Sequence, residues 1–278
     1  MIALISDSNA MLPARLRERF SVEVVPLTIV VDGQPYAEGV EITTSAFYER
    51  LAAGVPVSTA APPPGLFLAA YERSASTGAD AVLSVHIGSN TSATVSSARV
   101  AAASSPIPVE IVDTGTASFP VACCVWAAGV ALERGAQLDG ARAAATAVAE
   151  AVGNVFIVGA LDLARRGGRL ASDAAETDGV PVLALRGGTM EVVGRCHDVD
   201  GAVEQMVDAF RGAAADRPMA VGVGDAAAPE VAAALAAQLG ARPEVTELVR
   251  YEVGPSVAAH SGLGTAGAVY FPAELTAP

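Results

Sequence analysis

Thr59, Ser92 and His260 are the side chains of this sequence whose types and settings best suit chemistry on an acyl group or an anion. Ser92 closes the run Gly88-Ser-Asn-Thr-Ser92, just before an Ala-rich stretch whose pattern predicts a helix from Thr94 to Ala103. A hydroxyl there, beside the unsatisfied N–H groups of a helix N-terminus, suits an anion. The same position suits a helix N-cap, and the two roles use the same end of the helix. Joined to His260 and to Asp7 or Asp113, Ser92 also supplies the parts of a serine hydrolase, because such triads are defined by geometry and not by order in the chain. No GxSxG elbow and no HExxH motif accompanies them. Thr59, taken alone, is a hydroxyl in the stretch from Val57 to Gly65, which reads as a stiff Pro-dense loop. His260 is a lone imidazole near Gly262 and Gly264, where backbone can approach closely.

Two glycine patterns imitate dinucleotide fingerprints. Gly222 to Ala227 is close to GxGxxA, but no second parallel strand bearing an acidic residue is expected at about the required distance; Gly262 to Gly267 matches GxGxxG with too little chain after it for a βαβ unit. Neither supports a nucleotide, and no cofactor is expected. His86 falls in an apolar strand and reads as a satisfied core residue. Cys196-His197 lacks further metal ligands, and Cys123, Cys124 and Cys196 have neither disulfide nor zinc spacing. A reducing, cytoplasmic setting is the expectation.

The elements that must position these groups are those of an α/β protein. The net charge of −13, from 17 Lys+Arg against 30 Asp+Glu, opposes binding to nucleic acid or to anionic lipid surfaces. The mean hydropathy of +0.43 comes largely from Ala and Val. The most apolar stretch, Ala117 to Leu132, is short and rich in small residues, which predicts a core helix and no stable membrane insertion. MIALISDS opens directly as a strand and a turn, without the basic start of a secretory signal.

Strands are expected at Ile2 to Ser6, Val22 to Val31, Ala81 to Ile87 and Val109 to Asp113. Helices between them are expected from near Leu12-Pro13, from a Thr44 or Ser45 cap, before Tyr71, and from Asp139. This alternation predicts a parallel sheet flanked by helices. After Asn154 the pattern changes. Val182 to Arg186 and Met190 to Arg195 flank Gly187-Gly188-Thr189 as an antiparallel hairpin, followed by helices from Ala202 and Glu230, a strand from Ala220 to Val223 and two late strands. We expect a boundary there, giving an N-terminal α/β domain over residues 1–154 and a C-terminal α/β domain with a mixed sheet over residues 155–278.

Several segments, taken in order, resemble the DegV family. SDSNAMLP, from Ser6 to Pro13, is similar to its opening TDSxxDLP, with Met11 for the usual Asp. Val24 to Thr43 is similar to the family's VVPL…DG..Y.D…I segment, and Thr59 to Gly65 to its TSQPSPG. Ile87 to Thr94 with Ser97-Ala98 is similar to ISSxLSGTYQSA, and Val112-Asp113-Thr114 to VDS. Gly167-Gly168-Arg169-Leu170 resembles GGRI, and Gly254-Pro255 with His260 to Gly264 resembles GP…HTGPG.

The resemblance implies a two-domain DegV-like fold with one long-chain fatty acid buried at the junction. It further implies that the protein presents the bound acid to a fatty acid kinase for conversion to acyl phosphate, which feeds phospholipid synthesis, and has no complete active site of its own. Thr59, Ser92, Ala93 and His260 would then hold the carboxylate. Arg165, Arg166 and Arg169 would form the mouth or the partner contact, a basic patch on an acidic protein. The sequence departs from the family pattern at Ala60, Ala61, Pro63, Ala93 and Val95, which makes the pocket mouth less polar. The alternatives are a Ser/His acyl hydrolase built on Ser92 and His260, and a lipid-sensing regulator with the same pocket.

Overall fold

The computed structural model describes residues 1–166, 168 and 179–277. In chain order the elements are β1 (Ile2–Asp7), a 3-10 turn (Ser8–Ala10), α1 (Ala14–Arg19), β2 (Glu23–Val25), β3 (Thr28–Val31), β4 (Gln34–Ala37), α2 (Thr44–Ala52), β5 (Val57–Ala60), α3 (Pro64–Ser76), β6 (Ala81–His86), α4 (Thr94–Ala102) and β7 (Val109–Asp113). There follow α5 (Phe119–Glu133), α6 (Leu138–Ala151), β8 (Gly153–Ile157), α7 (Leu161–Arg166), β9 (Val180–Arg186), β10 (Thr189–Cys196), α8 (Val199–Ala214), β11 (Met219–Ala226), α9 (Pro229–Gly240), β12 (Val245–Glu252), α10 (Pro255–Ser261) and β13 (Thr265–Pro272).

The short apolar strands of the first half build an all-parallel sheet in the order β2-β1-β6-β7. Such sheets need cover on both faces. Phe67, Ala70 and Tyr71 of α3, with Ala98 and Ala101 of α4, cover one face over Ile5 and Val82. Helices α5 and α6 cover the other. The chain leaves β1 for β2 on one side and later returns to β6 on the other. The carboxyl ends of β1 and β6 therefore flank a topological switch point, where open α/β sheets leave a crevice.

Helix α5 is apolar around its whole circumference, and every residue from Phe119 to Val130 is buried. Its setting explains this. It packs on β1 and β6, and the same core cluster takes in Ala220, Val249, Val269 and Phe271 of a second sheet. The expectation of a core helix holds, and among the described residues no helix is long and apolar enough to cross a membrane.

The second half forms a mixed six-stranded sheet, β10-β9-β8-β13-β11-β12, in which only the β11–β12 pair is parallel. β13, all of whose residues are buried, lies in the interior of the sheet between β8 and β11. Helices α8 and α9 cover one face through Met206, Phe210, Leu235 and Leu239. The β9–β10 hairpin turns at Gly187-Gly188, both at positive φ, as its sequence signalled.

A third, antiparallel sheet, β4-β3-β5, was not foreseen. Asp32 and Gly33, at φ 52° and 78°, turn β3 into β4. The segment read as a Pro-dense loop from Val57 begins instead as strand β5, with Thr59 opposite Ile29. The prolines start only at Pro62, and Pro64 opens α3, where a missing N–H is tolerated. Other boundaries shift by short distances. Thr43 caps α2, accepting from Ala46 N at 3.2 Å, one residue before the expected Thr44. Asp7 caps the 3-10 turn, and α1 begins at Ala14, after Pro13.

Candidate functional site

Where the sheets meet, a cavity of about 350 Å³ lies between β5, the Ile87–Ala93 loop, the start of α5, β8, β9, β12, α10 and β13. Its lining draws on residues from Asn9 to Pro120 and from Asn154 to Val269. The volume is of the order of small-molecule sites, roughly 300–1,000 Å³. Leu27, Ile87, Ala117, Val155, Phe156, Leu185, Met190, Val253, Val257 and Val269 give it carbon walls. Hydroxyls, side-chain amides and one imidazole interrupt these walls, so the cavity offers both carbon surface and polar groups.

Thr59, Ser92, Ala93 and His260 all line the cavity. Thr59 reaches it from β5, where side chains alternate between faces. His260 reaches it from the last turn of α10, a helix opened by Pro255 and ended at Gly262, whose φ of 80° breaks the helical path. Thr59 Oγ1 and His260 Nε2 share a hydrogen bond of 2.9 Å. Both residues are half-buried.

Ser92 is not the N-cap of α4; Ala93 occupies that position, without a side-chain cap. The Ser92 Oγ instead accepts from Thr94 N at 3.3 Å and pairs with Thr94 Oγ1 at 2.8 Å. The loop carrying it is tied down from outside. Asp113 Oδ1 accepts from Ser89 N at 3.0 Å and Gly115 N at 3.2 Å, and Asn90 Nδ2 donates to Gly115 O. Burial raises the Asp113 carboxyl, but the Ser89 and Gly115 donors and the nearby Arg99 outweigh it and hold the group below the usual carboxylate range.

Several lining residues carried no sequence signal. Asn9 Oδ1 accepts from Ser118 N at 2.8 Å, and its Nδ2 donates to Ser256 Oγ at 3.2 Å, joining the 3-10 turn after β1, the start of α5 and α10 at the wall. Asn154 is bonded in both directions to the Leu185 backbone, at 2.7 and 3.2 Å. Tyr251 stacks on Phe119, with centroids 4.4 Å apart. These contacts depend on strand register, and no local motif marks them.

Arg165 does not join the cavity in the same way. Arg165 is exposed on α7, pairs with Asp162 at 3.5 Å and does not line the cavity, though α7 packs beside α10. Arg169 and the Arg166 side chain lie outside the described residues.

The hydrolase constellation is not assembled from its expected acids. Asp7 Oδ2 lies 2.9 Å from His86 Nδ1 and accepts from Ile87 N, while Asp113 holds the loop amides. His86 is a satisfied core residue, as expected: it is fully buried, and its Nε2 meets Ser84 Oγ at 2.6 Å. Contrary to expectation, a parallel strand with acidic residues does follow the first glycine pattern, since β12 pairs parallel with β11 and carries Glu247 and Glu252; its glycines nevertheless meet packed rings. Gly222 and Gly224 lie inside β11, where a Cβ would fall 2.3 Å from Phe119 and 2.2 Å from Tyr251. Gly262 leaves room for Ala160. Cys196 Sγ meets Gln205 Oε1, and His197 is exposed beside Asp198.

With this geometry in hand, similarity to known proteins is informative. The profile of the family described as "Uncharacterised protein, DegV family" matches residues 1–273. A DegV domain-containing protein of Streptomyces coelicolor is 36% identical over 273 residues, covering 96% of this chain and 97% of its own length. One from Mycobacterium tuberculosis is 34% identical over 275 residues, covering 96% and 95%. Among solved structures, a fatty-acid-binding DegV family protein from Thermus thermophilus superimposes with a TM-score of 0.91 at 33% identity, over 98% of this chain and 99% of that one. DegV of Bacillus subtilis, described as a fatty acid binding protein, superimposes with a TM-score of 0.89 at 26% identity, over 98% and 99%.

Proposed function

The chain belongs to the DegV family, and from that premise we propose that it binds one long-chain fatty acid in the cavity described above. The observation that carries the reading is a cavity with carbon walls that Thr59, Ser92, Ala93 and His260 also line. A fatty acid calls for both kinds of surface. Its tail gains about 0.8 kcal/mol per buried methylene. Its carboxylate must receive hydrogen bonds, because burying it unpaired would cost many kcal/mol. The Thr59 and Ser92 hydroxyls, the His260 imidazole and the Ala93 backbone N–H are donors of the required kind.

We take residues 1–154 and 155–278 as the two domains and the cavity as their junction. The acid is held here and transformed elsewhere: the protein presents the carboxylate to a kinase, with Arg165, Arg166 and Arg169 as the contact patch, and acyl phosphate formation takes place on the partner. This step rests on the resemblance to the family, and the exposure of Arg165 beside α10 is compatible with it. The protein then acts as a lipid-binding subunit, in the cytoplasm, upstream of phospholipid synthesis.

Native mass spectrometry of gently purified protein tests the binding step. One fatty acid per chain is expected, released on denaturation and identified after extraction. A folded protein that carries no fatty acid and takes up none when offered would overturn it. The kinase step predicts acyl phosphate only when loaded protein, the kinase and ATP are combined.

A further inference from the structure

We infer that Glu38 is a positioning residue, which fixes α10 and through it the His260 side of the head-group clamp. The inference deepens the fatty-acid reading and rests on it for its binding arm. Glu38 follows β4 at the edge of the three-stranded sheet and is only 5% exposed. Its Oε1 accepts from Ser256 N, in the first turn of α10, at 2.6 Å. Its Oε2 accepts from Ser8 Oγ, and that hydroxyl in turn accepts from Leu27 N at 2.9 Å. Glu38 N donates to Leu27 O at 2.9 Å, so the residue is held by its backbone as well as by its carboxylate.

The result is a helix gripped twice by one small sheet. Glu38, beside β4, holds the N-terminus of α10, and Thr59, on β5, meets His260 in its last turn. Between these points α10 presents Ser256 and Val257 to the cavity. Close packing leaves little slack: a Cβ at Gly254 would fall 2.8 Å from Met11 Sδ and 3.1 Å from Glu38 Oε1. Burial pushes the Glu38 carboxyl above its ordinary range, with nearby Asp7 adding to this, although the Ser8 and Ser256 donors oppose it. An acid in that setting is a poor choice for stability alone. Its two acceptor oxygens suit the task of joining Ser8 to Ser256.

The test compares Glu38→Ala, Glu38→Gln and Glu38→Asp with the unmodified protein, by displacement of cis-parinaric acid and by NMR of the histidine imidazoles. Glu38→Ala should weaken binding about tenfold, the loss of one charge-assisted hydrogen bond, and shift the His260 resonances while leaving those of His197 in place. Glu38→Gln keeps an acceptor for Ser256 N and a donor toward Ser8, so it should restore both readouts. A folded Glu38→Ala variant with unchanged affinity and unmoved His260 resonances would overturn the inference. Where that variant does not fold, Glu38→Asp decides in the same way, since its shorter side chain reaches one donor at most. If the unmodified protein takes up no fatty acid, the binding proposal falls, and the His260 resonances alone still decide whether Glu38 positions the helix.

Discussion

Thr59 and His260 stand 201 residues apart in the chain and share a 2.9 Å hydrogen bond. The bond joins a strand of the first half to a helix of the second, at the cavity wall. Thr59→Val keeps the β-branched shape and removes the hydroxyl. It is expected to weaken fatty-acid binding about tenfold with little change in melting temperature, as read by ligand displacement and thermal unfolding. Unchanged affinity would remove Thr59 from the clamp.

Asp113 ties down the loop that carries Ser92 from outside the cavity. Its folded-state pKa lies below the usual value, so its contribution is complete above the unfolded pKa of about 3.9 and is lost as pH falls through the lower folded value. Asp113→Ala should therefore be less stable at neutral pH, by about 1 kcal/mol or less because the residue is exposed. The gap between variant and parent should close toward acid pH in urea titrations. A gap that persists at low pH would mean that the carboxylate charge is not what ties the loop.

Ser118, the residue before α5, has φ 65° and ψ −150°, a conformation that only glycine adopts without cost. Such strain is of the order of 1–3 kcal/mol, and the greater freedom of glycine in the unfolded chain offsets about 0.4–1 kcal/mol of the relief. Ser118→Gly should raise the denaturant midpoint. A lower midpoint would show that the Ser118 side chain, at the cavity wall near Tyr251, outweighs its backbone strain.

The three cysteines should separate by reactivity. Cys123 and Cys124 are fully buried in α5, and burial pushes both thiols up, that of Cys124 to about 12. Cys196 is half-buried on β10; burial and the neighbouring Asp198 and Glu204 raise its thiol as well. A thiol reagent should modify one cysteine per native chain, slowly, and all three after unfolding. Rapid labelling of Cys123 or Cys124 in the native state would mean that α5 opens locally.

The parallel sheet and the glycine hairpin were legible because their signals are local: apolar runs such as Ile2 to Ser6, and Gly187-Gly188 between two β-rich segments. Strand β5 was not, because the prolines from Pro62 onward colour the whole segment while its pairing partner, β3, lies far from it in the chain. Helix α10 has only seven residues, too few for a periodic pattern. The same limit applies within the cavity. Ser92 stood out by residue type and setting and Thr59 and His260 mainly by the family resemblance, whereas Asn9, Asn154 and Ser256 became visible only through bonds to Ser118, Leu185 and Glu38. Glu38 itself looked like one acid among 30 Asp and Glu until its burial was known.

The place of β13 has a consequence for how the molecule is made. Until residues 265–272 have been synthesised, β8 and β11 each present an unpaired edge, and the cavity lacks the wall that Gly267, Ala268 and Val269 provide. A nascent chain short of that point carries apolar strands open to wrong pairing. Newly made protein should therefore depend most on chaperones before β13 has been made, and the cavity is walled in only once this interior strand has slid into place.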